Sequence, residues 1–410
     1  MIYMKASNKP IWTRNFLGVS FVNLIVFITF YSLLTTLPIY VIYELKGTEA
    51  QAGLVVTVML LSAILIRPFS GNLLQRFGKR NVLIASTSLF AFTSLGYIWI
   101  DQFIPLMILR FLHGFSFAIL TTTTSTIAAE TVPLERKGEG LGYFTMFMNI
   151  AIVIGPFIGL TLIQFISFHL LFVILSTFVV ISVICAWLVR LQSQPAPVGS
   201  QSQSQPKRKL SIHDFFEFKA VPFSFIISLV AFAYAGILSF ISVYAIEVGL
   251  EQVSGYFFLV FAVTMLVSRP YLGRLFDQRG AKIVILPSLI MYSIGFILLA
   301  FSQSAWLFLV AAGVIGIGYG SLMPLFLSLA TESVAANRTG HATATFFTLY
   351  DSGVAAGSFI LGLMVPWMGF SNLFFFLAAF VLVILVSFQF LNNRVEVAKV
   401  KKVNVNKISG

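Results

Sequence analysis

Two charged side chains lie deep inside long apolar stretches of this sequence, Arg110 and Asp351. An ionisable group in such a place is costly unless it is paired or hydrated, so the alternatives are a path for a proton or substrate, or, for Arg110, a side chain that snorkels outward and, for Asp351, a carboxyl kept protonated by a neighbouring helix. A carboxyl group in apolar surroundings has its proton affinity brought toward the range where it loads and releases near neutral pH. Asp351 is therefore the candidate proton carrier. Arg110 lies about seven residues inside its stretch, on the order of 10 Å at 1.5 Å per residue, where a permanent positive charge would organise the outer part of the same path. His113 follows one turn later on the same helical face, able to share a proton or to line a wet channel. Tyr31, Asn23, Tyr40, Tyr234, Tyr244, Met146, Met148 and Tyr350 are weaker candidates for the wall of a cavity.

Composition says which elements must hold these groups. The chain is 58% hydrophobic and 10% charged, with 44 phenylalanines, far from the roughly 25% charged residues of a soluble domain. Charge-free runs long enough for the ~20 residues that cross a bilayer give twelve expected spans: 16–43, 50–69, 82–100, 103–128, 142–166, 169–189, 221–246, 253–271, 283–301, 305–330, 340–366 and 371–391. The fold class is an all-α membrane protein. Its first charge-free run, Asn15 to Tyr43, is 29 residues long, more than the apolar core of a cleavable signal, and is expected to be a retained span. In the fourth span, Thr121 to Thr126 can bond their hydroxyls to carbonyls one turn back.

The chain is also a repeat. RPFSGNLLQRFGKRNV, Arg67 to Val82, returns as RPYLGRLFDQRGAKIV, Arg269 to Val284, 202 positions later. At the same ungapped offset Gly53 meets Gly255, Gly114 meets Gly316, Glu130 meets Glu332, Arg136 meets Arg338 and Gly155 meets Gly357. A duplicated half explains so many matches. The division is then a six-span bundle at 1–190, a linker at 191–219, a second six-span bundle at 220–391 and a basic tail at 392–410. The two intramembrane charges break this symmetry, since Arg110 is matched by Ala312 and Asp351 by Asn149.

Lysine and arginine set the orientation. They crowd the termini, both repeated loops and the linker, whereas the opposite loops hold only Lys46, so both termini are expected in the cytoplasm. Gly71, Gly78, Gly273 and Gly280 suit tight turns between antiparallel helices, with Arg76, Lys79 and Arg80 near lipid phosphate and the carbonyl ends of helices. Glu130 and Glu332 close the fourth and tenth spans on that side, where ion pairs with a loop arginine could act as gate latches. Arg67, Arg269 and Asp277 belong to the same gating loops. Mid-way along the fifth span, Pro156 kinks the helix while Gly155 and Gly159 allow a neighbour to approach.

The repeated six-span halves, the cytoplasmic glycine- and arginine-rich loop after spans 2 and 8, and the basic linker resemble the major facilitator superfamily over nearly the whole chain. LRFLHGFSFA, with Arg110 and Gly114, resembles its R-x-x-x-G element, and Gly155-Pro156-Phe157-Ile158-Gly159 resembles the G-P-x-x-G motif of its drug and proton antiporters. The loop's usual Asp is Gln75 in the first copy and Asp277 in the second. Glu130 to Phe144, ETVPLERKGEGLGYF, resembles a bacterial subgroup that includes exporters of opine-type metallophores. The resemblance implies two bundles with a site between them at mid-membrane, alternating access, and export of small organic compounds coupled to proton entry. Metallophore export is the alternative, and an uptake symporter the third.

Other classes fit poorly. The +12 charge sits in short loops rather than on one amphipathic face, so lipid rather than nucleic acid is the expected partner. A Walker A sequence is missing, and Gly316, Gly318 and Gly320 fall within a span, so ATP drive is not expected. With one cysteine, Cys185, and no His/Glu cluster or nucleophile–base pair, neither a metal, a cofactor nor enzymatic chemistry is expected. A non-transporting sensor would need a larger soluble domain. The expected partners are a small-molecule substrate and protons, in a monomer in the cell membrane.

Overall fold

A computed structural model describes residues 10–133, 136–190, 217–334 and 338–408. The expected linker up to residue 216, and the side chains of Gln75, Asp277 and His341, lie outside the described residues. Among those residues the chain forms α-helices and no strand: α1 Arg14–Ile39, α2 Glu49–Phe77, α3 Lys79–Gly96, α4 Phe103–Thr131, α5 Lys137–Leu162, α6 Phe168–Leu188, α7 Val221–Glu247, α8 Ser254–Arg279, α9 Ala281–Ala300, α10 Ala305–Gly320, α11 Leu322–Glu332 and α12 Thr339–Ile408.

Helix starts are written in the sequence. The Thr48 N–H donates to Gln51 Oε1 at 2.9 Å while the Gln51 N–H donates to Thr48 Oγ1 at 3.3 Å, a reciprocal cap that satisfies two amides with no helical acceptor. Thr13, Ser167 and Ser304 cap α1, α6 and α10 in the simpler way, each hydroxyl accepting from the amide three residues on.

Eleven helical stretches among the described residues are long and apolar enough to cross a membrane. One of them, Ala305–Glu332, contains both α10 and α11. Where the sequence places two spans, 340–366 and 371–391, the structure has one stretch of 52 residues, Ala342–Asn393. Its helical path breaks only at Gly369, with φ +71°.

Two compact units result, Met1–Gly47 with Val58–Asp214 and Thr48–Thr57 with Phe215–Gly410. In the first, α1 packs on α4, α5 and α6, and α3 packs on α4 and α6. In the second, α7 and α9 pack on α12, and α8 and α9 on α10. Lipid supplies no hydrophobic drive between helices, so close approach of backbones has to substitute. At Gly114 a side chain would run into the carbonyl of Met59, and at Gly316 into that of Phe261. These contacts are themselves 202 positions apart, so the packing is duplicated along with the sequence.

The repeated loops correct part of the sequence reading. Gly71 and Gly273 are not in turns; they lie inside α2 and α8 with open space where a side chain would go. The turns are made by Gly78 and Gly280 alone, at φ +78° and +85°, ending one helix and starting the next. With ψ near 144° and 173°, these conformations are accessible almost only to glycine and cost other residues about 1–3 kcal/mol. Gly78→Val or Gly280→Val should therefore lower stability by that amount in detergent unfolding. Gly71→Ala and Gly273→Ala should leave it unchanged, and equal losses at all four positions would contradict the assignment.

Candidate functional site

In the first unit Arg110 is fully buried on α4, so its side chain does not reach the surface to escape apolar surroundings. Its Nη1 donates to the Tyr97 hydroxyl at 3.4 Å, and that hydroxyl lies 2.9 Å from His113 Nδ1. His113, equally buried, has its Nε2 3.4 Å from Ser94 Oγ and its ring 4.2 Å from that of Phe90. The neighbours fix the protons. Arg110 can only donate, and the Ser94 hydroxyl already donates to the Phe90 carbonyl at 2.7 Å, so Ser94 accepts from His113. In the tautomer that gives the Tyr97 hydroxyl an acceptor, the proton is on Nε2 and Nδ1 accepts from Tyr97.

The sequence reading paired Arg110 with His113 and missed Tyr97 and Ser94, which join them from the end of α3. Tyr97 belongs to a turn that closes α3, and helical periodicity of α4 alone carries no trace of it. Asn149 is half-buried on α5. Below it on the same helix, Gly155 and Gly159 form the face that meets α1: added side chains would fall 2.7 Å from Tyr31 Cβ and 3.0 Å from Thr36 Cγ2. The Ser32 hydroxyl donates to the Gly155 carbonyl at 2.6 Å, beside Pro156.

In the second unit Asp351 is half-buried on α12. Its neighbour Tyr350 has its hydroxyl 2.5 Å from that of Tyr319 on α10. Tyr319 in turn stacks on Tyr234 of α7 at 4.1 Å between centroids, 16° from parallel. Of the weaker candidates, Tyr234 and Tyr350 join this tyrosine cluster, while Asn23 and Tyr244 are buried and bonded to other helices. Asn23 Oδ1 accepts from Thr124 at 2.9 Å, and the Tyr244 hydroxyl bonds carbonyls of Leu299 and Ser302 at 2.9 Å.

At the repeated loops, Glu130 is held by Lys79 at 2.5 Å rather than by an arginine, with both side chains substantially exposed. Such a pair contributes roughly 0–1 kcal/mol, little enough to break and re-form. Arg76 lies over the Phe77 ring at 5.3 Å, and Arg80 donates to the Trp187 carbonyl near the end of α6 at 3.5 Å. Glu332 accepts from Ser328 within its own helix at 2.6 Å, and Arg269 donates from Nε to the Gly320 carbonyl at 3.0 Å. Arg338, the counterpart of Arg136, is ion-paired to Glu217 just before α7, and its hydrogen bond holds the Glu217 carboxyl below the usual glutamate value. Among the described residues no group of three or more His, Cys, Asp or Glu side chains lies where it could hold a metal ion.

The family model described as Major Facilitator Superfamily matches residues 19–358 and 251–407. The chain is 21% identical over 355 residues to the staphylopine export protein of Staphylococcus aureus, covering 84% of this chain and 88% of that protein. It is 23% identical over 374 residues to the multi-drug resistance efflux pump PmrA of Streptococcus pneumoniae, covering 88% and 90%. A solved POT family transporter in complex with 5-aminolevulinic acid superposes with a TM-score of 0.77 at 14% identity, covering 93% of this chain and 96% of that one.

The Tyr97 hydroxyl is the joint of the first unit's network. Tyr97→Phe leaves buried groups of Arg110 and His113 facing a ring edge, and should destabilise the protein by about 1–3 kcal/mol in thermal unfolding. His113→Phe should cost less when combined with it than the two singles added; strict additivity would show that the bonds are not coupled.

Proposed function

This chain belongs to the Major Facilitator Superfamily, a family of transporters rather than enzymes, and on that premise we propose that it exports small amphipathic organic compounds by alternating access, driven by protons moving inward. It is a multi-pass membrane protein, and we read the 52-residue stretch broken at Gly369 as two spans. That makes twelve, six in each half, with both termini in the cytoplasm of a cell whose membrane the protein spans.

The observation that carries the reading is the placement of Asp351. It is a carboxyl group in the middle of an apolar helix, beside the Tyr350–Tyr319 hydroxyl pair, on the half whose counterpart position holds only Asn149. Asp351 loads a proton on one side and releases it on the other as its surroundings change. Arg110, held by Tyr97 and His113, organises the polar path in the other half, and the loops with Lys79–Glu130 and Gly78/Gly280 act as gates. Similarity to an efflux pump supports export. A second reading, export of an opine-type metallophore, is favoured by the similarity to the staphylopine export protein.

Purified protein in liposomes is expected to move substrate uphill under an imposed proton gradient, without nucleotide. Cationic dyes tested against opine-like zwitterions separate the two readings. Asp351→Asn, which imitates the permanently protonated acid, should abolish uphill export yet keep part of the downhill counterflow, whereas Arg110→Ala should impair both. Uphill export by Asp351→Asn at the parental rate would remove Asp351 as the carrier.

A further inference from the structure

Positions 15 and 217 are counterparts in the duplicated halves, and each fastens one end of the linker. In the first unit the Asn15 side chain takes both polar groups of one backbone residue: its Nδ2 donates to the Arg190 carbonyl at 2.8 Å, and its Oδ1 accepts from the Arg190 N–H at 3.0 Å. An amide can do this because it carries a donor and an acceptor. In the second unit the residue is Glu217, four residues before α7 and 8% exposed. Its ionised carboxyl only accepts, so it cannot repeat the Asn15 arrangement. It takes a side chain instead, with Arg338 donating from Nε to its Oε2.

The contact extends beyond the ion pair. The Glu217 N–H donates to Thr345 Oγ1 at 2.9 Å, and the Ser333 hydroxyl donates to the Lys219 carbonyl at 3.1 Å. These bonds join the last residues of the linker to the stretch that ends α11 and begins α12. The first half is wired differently. Arg338 is matched there by Arg136, but Glu217 is matched by Asn15 and Thr345 by Tyr143. Lys79, which holds Glu130 in the first unit, is matched by Ala281. The second half therefore lacks the loop lysine and has an acid at the end of the linker.

The Glu217 carboxylate is nearly enclosed, whereas the Arg338 side chain is 40% exposed, so water reaches the tie from the arginine side. Segments held by few bonds open below global unfolding, in contiguous cooperative units. We propose that Glu217 makes the end of the linker a latch on α12: its bonds with Arg338 and Thr345, and that of Ser333 with Lys219, open and close together in the native protein, and the start of α12 is released when they open. Asp351 follows Thr345 by six residues, about 9 Å along the helix at 1.5 Å per residue. The linker thus has a direct mechanical hold on the helix that bears this carboxyl group.

The test is amide hydrogen exchange of the full chain in detergent at neutral pH, read by mass spectrometry in the segments 217–221, 343–350 and 226–240, the last being the mostly buried middle of α7. A latch predicts matching protection in 217–221 and 343–350, with both exchanging well ahead of 226–240. In Glu217→Gln, which keeps the size of the side chain, and in Arg338→Gln, the two segments should speed up together about tenfold, as for loss of a hydrogen bond to a charged group, while 226–240 is unchanged. Arg338→Lys keeps the charge and should lose less protection than Arg338→Gln; should Arg338→Gln not fold, Glu217→Gln and Arg338→Lys carry the comparison. Exchange of 217–221 and 343–350 only as fast as 226–240 would mark a static tie, and acceleration confined to one of the two segments would mark unconnected contacts. Either result overturns the proposal. Exchange needs no transported substrate, so failure of the export reading would leave this outcome unaffected.

Discussion

Inside a membrane no water competes for hydrogen bonds, so backbone polar groups must be satisfied by the protein itself, and side-chain hydroxyls that meet a carbonyl are shaped by the same constraint. Thr121, Thr122, Thr123, Ser125 and Thr126 all return their hydroxyls to carbonyls one turn back, at 2.7–2.8 Å, and so become nearly apolar to their neighbours. A smaller set crosses between helices: Ser32 to Gly155, Ser62 to Phe111, Ser176 to Ser94 and Ser293 to Ala378, each hydroxyl donating to a carbonyl at 2.6–2.9 Å. Each cross-helix bond contributes only about 0.6 kcal/mol. No single bond of this kind can decide the packing, and the glycine contacts at Gly114, Gly155 and Gly316, where any side chain would collide with backbone or Cβ atoms, are the stronger determinants.

A duplicated scaffold also separates structure from chemistry. Features that both halves keep, such as the positive-φ glycines and the glycine–carbonyl contacts, serve the fold. Features that only one half keeps have no symmetric role to explain them. Arg110 against Ala312, Asp351 against Asn149 and Ser321 against Ile119 are of this second kind. Each places a polar group at a position that the scaffold tolerates as an apolar or neutral one, and so each carries a cost that packing does not require.

The sequence made the helices legible because a charge-free run is bounded by solvent at both ends, and charge marks those bounds directly. The break at Gly369 falls between the expected spans 340–366 and 371–391 for the same reason that Gly78 and Gly280 mark turns: glycine alone takes φ near +70° without strain. The break at Ser321 was not legible. Pro324 lies within a charge-free run, and a proline inside a membrane helix is common enough that its consequence depends on what satisfies the freed carbonyl, here Arg269 from a different helix. Lys79 was passed over as the partner of Glu130 for a similar reason. The loop offers Arg76, Lys79 and Arg80 within five residues, and only the direction of α3 selects among them.

That dependence on direction also limits what His113 can do. On spacing alone it could share a proton with Arg110. In the structure its Nδ1 lies 2.9 Å from the Tyr97 hydroxyl, its Nε2 faces a Ser94 hydroxyl that donates to the Phe90 carbonyl, and that carbonyl also accepts from Thr93. The bonds named here run one way, from a guanidinium, which only donates, to a backbone oxygen, which only accepts. Their physical effect is to hold the Arg110 charge in one place, with Tyr97 and His113 as the positioning groups. On our reading the proton-carrying role then falls to the other half, where a carboxyl group rather than an imidazole sits in the apolar helix, at Asp351.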